Sequence, residues 1–285
     1  MNINKTALVL EGGGAKCAYQ LGALIALNNL GYHFDAISGA SFGALNAAIY
    51  IKGGTEALFN FYQNVNPYDI YQNQDMVDYI ANYNGDKDQL TSSFISYIKS
   101  HPHYLANKSN ISNSYHKFIM DQVDESKIIN SDITLYFTVL EVNPNPLVMG
   151  TLLLSFVSDP GLLTSLYQSR NIVGHLIDAH YCNDLPRYIA ASANYPTFDP
   201  IIVEGKYYLD GGIYNNVPYE IFVKEGYNKI IVIRTNTNEI NYPQDKNIIE
   251  IKPNSSLGSA LYFTHDNIMN LIKQGYEDTF NKLKI

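Results

Sequence analysis

A serine flanked by two glycines, Gly39-Ala-Ser41-Phe-Gly43, stands between a short apolar run and a helical pattern. A sharp strand-to-helix turn projects a hydroxyl clear of the backbone, and small neighbours are needed to leave it room. The helix that follows points unpaired N–H groups and a positive dipole end at the same place, which favours a developing negative charge. With 19 glycines in the chain, a chance match at a small-residue turn competes with a nucleophile. The strand–turn–helix setting favours the nucleophile.

A second turn, Glu11-Gly12-Gly13-Gly14-Ala15-Lys16-Cys17, also ends an apolar run and opens a helix. A phosphate-binding loop would need Ser or Thr after the lysine, where Cys17 stands. A dinucleotide fingerprint would need a last glycine at that same position and an acidic residue ending the next strand, and Asp35 precedes the end of its strand. The third reading is an oxyanion hole, with the N–H groups of Gly12, Gly13 and Gly14 aimed at a carbonyl oxygen. Beside a serine turn this reading is preferred.

A serine nucleophile needs a proton acceptor. The seven histidines are His33, His101, His103, His116, His175, His180 and His265, and none has a recognisable catalytic setting in the sequence. Leu209-Asp210-Gly211-Gly212 does place a carboxylate at the end of a strand, followed by two glycines that permit a sharp turn. A simple Asp-Gly turn is the competing explanation.

The elements that must position these residues are legible in outline. Thr6–Leu10 is a continuous apolar run, as expected of a strand buried on both faces. Ala18, Leu21, Leu24, Ile25 and Leu27 then recur at helical spacing until Gly31. Phe34–Ile37 reads as a second strand, followed by a helix from Phe42 to about Ile51 that Gly53-Gly54 stops. Two strand–glycine turn–helix units in succession indicate an α/β architecture with a mostly parallel sheet. Residues 55–130 are polar and rich in Tyr and Asn, and read as a helical insertion. Strands are expected at Ile133–Val142, Leu147–Leu154, Ile201–Val203, Tyr207–Leu209, Lys229–Arg234 and Ile248–Ile251, with a hairpin turn at Glu204-Gly205. A helix is expected around Arg187–Ala193, another between Pro218 and Gly226, and a final one carrying Ile268, Leu271, Ile272, Tyr276 and Phe280 as core packing. No internal repeat or low-complexity tail interrupts residues 1–285, which read as a single domain.

Composition removes several classes of function. A formal net charge of −8 with scattered lysines argues against nucleic acid and against strong attraction to anionic membranes. No run of about 18 apolar residues is present, so no transmembrane helix is expected. The first residues lack a secretory h-region, and Cys17 and Cys182 form neither a disulfide framework nor a zinc motif. A cytoplasmic setting fits best, with signal-less export as the alternative. Most of the 24 tyrosines are expected at half-buried positions, although some suit a lipid–water boundary. Oligomeric state is not legible.

Taken in order, Gly12–Cys17, Gly39–Gly43 and Asp210–Gly212 resemble the three motifs of the patatin-like phospholipases: G-G-G-x-[RK]-G, G-x-S-x-G and D-G-[GA]. Tyr19-Gln20-Leu-Gly22, Ala44-Leu-Asn46-Ala47, Ala191-Ser-Ala193 with Pro196, and Asn215-Asn216-x-Pro218 add to the likeness. It covers residues 6–52 and 185–235 well and little of 55–180. The resemblance implies a three-layer α/β/α fold and a Ser41–Asp210 dyad without histidine. It implies cleavage of fatty-acyl esters of phospholipids or related lipids, with no metal or organic cofactor. Lys16, Gly39, Gly43, Gly211 and Gly212 would be supporting motif positions, and residues 55–180 would shape the acyl pocket. One departure is Cys17 in place of the last glycine. With the donors expected mainly from Gly13 and Gly14, that change bears on helix packing. Two rivals stay open: an α/β-hydrolase triad completed by His265, and a non-catalytic lipid-binding protein.

Overall fold

A computed structural model describes residues 5–101, 108–157 and 161–283. Strand β1 (Thr6–Leu10) passes through the glycine-rich turn into α1 (Ala18–Asn29), and β2 (Ala36–Gly39) passes through the serine turn into α2 (Phe42–Asn64). Helices α3 (Pro67–Tyr71), α4 (Gln74–Ala81), α5 (Leu90–Ser100), α6 (Lys108–Met120) and α7 (Glu125–Ile129) precede β3 (Thr134–Val142). Then come α8 (Pro146–Val157), α9 (Gly161–Gln168), β4 (Ile172–Asp178), α10 (Leu185–Ser192), β5 (Ile201–Val203) and β6 (Lys206–Asp210). The described chain finishes with α11 (Glu220–Lys224), β7 (Lys229–Ile233), β8 (Ile248–Ile251) and α12 (His265–Leu283).

The strands form one mixed sheet flanked by helices, parallel from β3 through β2, β1 and β7 to β8. Strand β1 lies at its centre and is buried on both faces. Leu8 and Leu10 join the large core with α1, α2 and α12. Ala7 and Val9 face the other way, against Val217, Phe222, Ile230 and Val232. The apolar run without alternation is explained by that double burial.

Strand β3 has an unusual division of labour. Tyr136 and Phe137 pair with both β2 and β4, so those two strands occupy opposite edges. Val139–Val142 pair with both β4 and β6, so β6 shares the edge of β2. On that edge β2 runs parallel to β3 and ends at Phe137, while β6 runs antiparallel and ends at Val139. The C-terminal ends of β2 and β6 therefore meet head to head, with Thr138 between them.

One expectation needs correction, and one strand was not foreseen. Leu147–Leu154, read as a strand, lies in α8; a short apolar run has no periodicity to separate a strand from a helix, and the start signal is local. Pro146 opens the helix, and the Asn145 side chain accepts the Leu147 N–H at 2.8 Å. Strand β4 was not expected, because its pattern is interrupted by Gly174 and His175. Gly53-Gly54 does interrupt α2 where expected: both glycines leave helical backbone, Gly54 at φ +68°, ψ −160°, and a second helical segment then runs on to Asn64.

Helices α1 and α12 cross at two glycines. A Cβ on Gly22 would fall on the Ile272 carbonyl, and one on Gly275 on the Tyr19 carbonyl. Tyr19 Oη reaches Asp278 at 3.0 Å across the same seam. Backbone atoms cannot yield as a flexible side chain can. Gly22→Val is expected to destabilise the protein by at least about 1–3 kcal/mol, read as a lower urea midpoint; an unchanged midpoint would place the helix contact elsewhere.

Candidate active site

Because β1, β2 and β7 are parallel, their C-terminal ends lie along one edge of the sheet, where open α/β sheets gather ligands. The head-to-head meeting adds the end of β6. Ser41 follows β2 and Asp210 closes β6, and Ser41 Oγ donates to Asp210 Oδ2 at 2.6 Å. The other carboxylate oxygen accepts the Gly212 N–H at 2.7 Å. Asp210 is buried, and that burial pushes its pKa up to about 7 against the opposing pull of the Ser41 and Gly212 hydrogen bonds.

Ser41 sits at φ +54°, ψ −133°, a conformation that costs a non-glycine residue on the order of 1–3 kcal/mol. Its N–H is held by Ser192 Oγ at 3.0 Å, which gives a physical role to the Ala191-Ser-Ala193 likeness. The flanking glycines answer a need for space. A Cβ at Gly39 would come within 2.6 Å of the Ala44 nitrogen, and one at Gly43 would fall on the Leu10 carbonyl. The same holds after Asp210. Gly211 and Gly212 open the tight turn expected after β6, the Tyr214 N–H closing on the Gly211 carbonyl at 3.0 Å, and they do so without positive φ. A Cβ on Gly211 would strike the Thr138 backbone, and one on Gly212 would come within 2.5 Å of Asn216 Oδ1.

The glycine-rich turn packs beside Ser41. Gly12 donates its N–H to the Asn216 carbonyl at 3.3 Å, so this N–H is engaged and the expectation that it serves as a hole donor is corrected. Gly13 and Gly14 have no backbone N–H partner among the described residues, and both line the cavity that contains Ser41. Gly14 adopts φ +55° with its α-carbon against Ala260, a place for glycine alone.

The turn is held from behind by a group that sequence reading passed over. The buried Glu11 carboxylate accepts from Arg234 Nε at 2.9 Å, the Thr235 N–H at 2.6 Å and the Asn236 N–H at 3.1 Å. Asn236 Nδ2 and Asn216 Nδ2 reach its other oxygen at 2.8 and 3.3 Å. Arg234, fully buried, also binds Glu250 at 2.6 Å. Only the three-dimensional pairing of β1 with β7 brings these residues together; the signal in the sequence was a charged residue ending each of two apolar strands. Gln20 and Asn46 extend the support: Gln20 donates to the Glu11 carbonyl at 2.6 Å, and Asn46 donates to Gln20 at 2.8 Å. Lys16 lines the cavity and donates to Asn236 Oδ1, and burial lowers its pKa against the pull of Glu11. Cys17 is buried, its thiol pushed well above its usual range by desolvation, and it packs in the core.

The cavity measures about 350 Å³. Its lining includes Ser41, Asp210 and the glycines, together with Ile70, Met76, Phe94, Ile98 and Ile111 from α3 to α6 and Phe263. The stretch where the family likeness is thinnest thus builds the apolar wall. Leu147–Leu154 and Leu162–Leu166 take no part in the lining. No described histidine lines the cavity. His265 is exposed at the start of α12, and His116, buried rather than at the surface, binds Asn194 at 2.9 Å. His103 lies outside the described residues.

Chemically, the arrangement offers a hydroxyl hydrogen-bonded to a buried carboxylate, two neighbouring N–H groups without internal acceptors, and an apolar cavity beside them. Structures similar over nearly the whole chain include VipD from Legionella pneumophila, at 13% identity and a TM-score of 0.49, covering 99% of this chain and 67% of that one. The type III effector ExoU of Pseudomonas aeruginosa is 14% identical at a TM-score of 0.45, covering 99% of this chain and 53% of its own. Human GIVD cytosolic phospholipase A2 is 9% identical at 0.41, with 98% and 61% covered. The chain thus spans little more than half the length of ExoU. No curated protein sequence matches. The family described as patatin-like phospholipase matches residues 8–223, a span that includes all three motifs, and the chain belongs to that family.

Proposed function

We propose that this protein is a serine lipid acyl hydrolase, of phospholipase A or lysophospholipase type, that works through a Ser41–Asp210 dyad. The observation that carries this reading is the 2.6 Å hydrogen bond from Ser41 Oγ to a buried carboxylate, both groups lining a largely apolar cavity. Asp210 takes the serine proton as Oγ attacks an ester carbonyl, and the N–H groups of Gly13 and Gly14 hold the oxyanion. The alcohol or lysolipid leaves with that proton, and an acyl-serine remains. Water then attacks, Asp210 again relays the proton, and a fatty acid is released.

An ordinary carboxylate is too weak a base for this task near neutrality. Burial that brings Asp210 to about 7 matches it to the working pH. Among the described residues no helix is long and apolar enough to cross a membrane. Family membership favours phospholipids as the substrate class, and the apolar cavity wall suits an acyl chain.

The test is labelling with a lipid-like fluorophosphonate, with the adduct located by mass spectrometry. An adduct on Ser41, lost in Ser41→Ala and slowed about 10²–10⁴-fold in Asp210→Asn, is expected; near-normal labelling of Asp210→Asn would sink the dyad. Since Asp210 acts only when deprotonated, ester hydrolysis should rise with pH through about 7 and level off above. A flat profile from acid to alkaline pH would contradict the assignment.

Stability carries the opposite sign. The native state holds the Asp210 proton up to about 7, against 3.8 for an unperturbed carboxyl. Wild-type stability attributable to this group is therefore full below the lower value and falls as pH rises to the upper one. Asp210→Asn removes that fall. At alkaline pH the variant should be more stable than wild type by a few kcal/mol, to order of magnitude, and the advantage should vanish near pH 4; urea titrations at both pH values measure it.

A further inference from the structure

The sheet does not hold Asp210 on both sides. Strand β5 pairs with β6 only as far as Tyr208, and the Asp210 N–H donates instead to the Asn194 carbonyl at 3.0 Å. Ser192, which ends α10, accepts the Ser41 N–H at 3.0 Å. The segment 192–194 therefore stands behind both members of the dyad, and α6 grips two of its residues. Tyr115 Oη donates to the Ala193 carbonyl at 2.6 Å. His116 Nε2 lies 2.9 Å from Asn194 Oδ1, while Asn194 Nδ2 donates to the Asp199 carbonyl at 2.9 Å. A carbonyl can only accept, which fixes the amide's orientation and puts the hydrogen on His116 Nε2.

The same helix is braced against the residues that follow. The Asp199 N–H donates to Ser112 Oγ at 2.8 Å, Ser109 Oγ donates to Asp199 Oδ2 at 2.8 Å, and Lys108 pairs with Asp199 at 3.2 Å. Tyr115 and His116 are themselves buried, and the Tyr115 ring stacks on Phe198 with centroids 4.3 Å apart. A phenylalanine would fill that space; what the hydroxyl adds is a bond to the carbonyl next to the one that holds Asp210. We propose that Tyr115 and His116 are positioning residues: through Ala193 and Asn194 they fix where the Asp210 carboxylate stands against Ser41; the proposal rests on the dyad reading above. His116 does not line the cavity and its Nε2–H is turned to an amide, so it acts through Asn194 rather than on substrate. Helix α6 thus has two duties, since Ile111 and Tyr115 also line the cavity. A misplacement of the base by about 1 Å can cost on the order of 10²-fold in rate, so a partial loosening of one anchor should be visible in turnover.

The experiment compares Tyr115→Phe, His116→Leu and His116→Gln with wild type in two readouts. The first is steady-state hydrolysis of p-nitrophenyl butyrate. In Tyr115→Phe and His116→Leu, kcat is expected to fall about tenfold with KM kept within about twofold. His116→Gln, whose amide can donate to Asn194, should recover most of that loss. The second readout is titration of the Asp210 carboxyl carbon by NMR, assigned by its loss in Asp210→Asn, which needs no turnover. Loosening residues 193–194 admits water to the carboxylate, so its midpoint should move down from about 7 by about one pH unit. Cys17, Tyr115 and Tyr195 feel the Asp210 charge, and burial keeps their protons on well above this range. Tyr115→Phe retains the stacking on Phe198, so one variant keeps the packing intact if His116→Leu folds poorly. A lower thermal midpoint with unchanged kcat and an unchanged Asp210 titration overturns the proposal, leaving the two side chains a purely structural part. A raised KM at wild-type kcat overturns it too, and an unmoved Asp210 midpoint does so whatever the activity. A midpoint that moves in the variants, in a protein whose wild type cleaves no ester, supports positioning and removes the hydrolase reading instead.

Discussion

The structure depends on a shared edge. Strand β3 gives its first residues to β2 and its last to β6 on the same side, and Thr138 alone separates the two strand ends. Two chains running toward each other in one plane cannot both continue. One must rise out of the sheet through the strained Ser41 turn, and the other must turn over Thr138, where a side chain on Gly211 would strike the backbone. A hydroxyl and a carboxylate 169 residues apart in the chain are thereby brought within hydrogen-bonding distance by strand pairing. Side-chain packing refines the meeting but does not create it.

The glycine-rich turn poses the reverse problem. N–H groups left without internal partners are costly to bury and free to reorient, so something behind the loop must fix its shape. The Glu11 carboxylate does this by accepting from Arg234, Thr235 and Asn236 just after β7, while Arg234 joins it to Glu250. Removing two charges from water costs several kcal/mol each. A buried pair of this kind adds little stability over an apolar core; its contribution is a fixed geometry, with nearly every lone pair and proton engaged. The result is a rigid rear wall and a front left open to an incoming oxygen.

Much of this was legible in the residues. The two glycine turns lie in sequences whose strand and helix patterns are strong, and the small-residue requirement at Gly39 and Gly43 follows from local sterics. Asp210 was legible as a strand-ending carboxylate. Its meeting with Ser41 was not, because it follows from a register on β3 that nothing near residue 210 encodes. Glu11 and Arg234 were invisible as a pair for the same reason. Leu147–Leu154 misled because a short apolar run suits either a strand or a helix, and the deciding signal was the Asn145-Pro146 cap rather than the run itself. The cavity wall in α3 to α6 could not be read, since aromatic and branched residues at helical spacing look alike whether they fill a core or border a void.

The kink in α2 has a further meaning. Gly54 occupies a backbone region almost closed to other residues, with nothing near its α-carbon to demand a small side chain. The joint divides one helix into a half anchored to the serine turn and a half that leads into the cavity wall. A helix continuous through this point would transmit every shift of the wall to Ser41 as a rigid rod. With the joint in place, the wall can repack around a different occupant while the half that begins at Phe42 keeps the serine turn where the sheet put it.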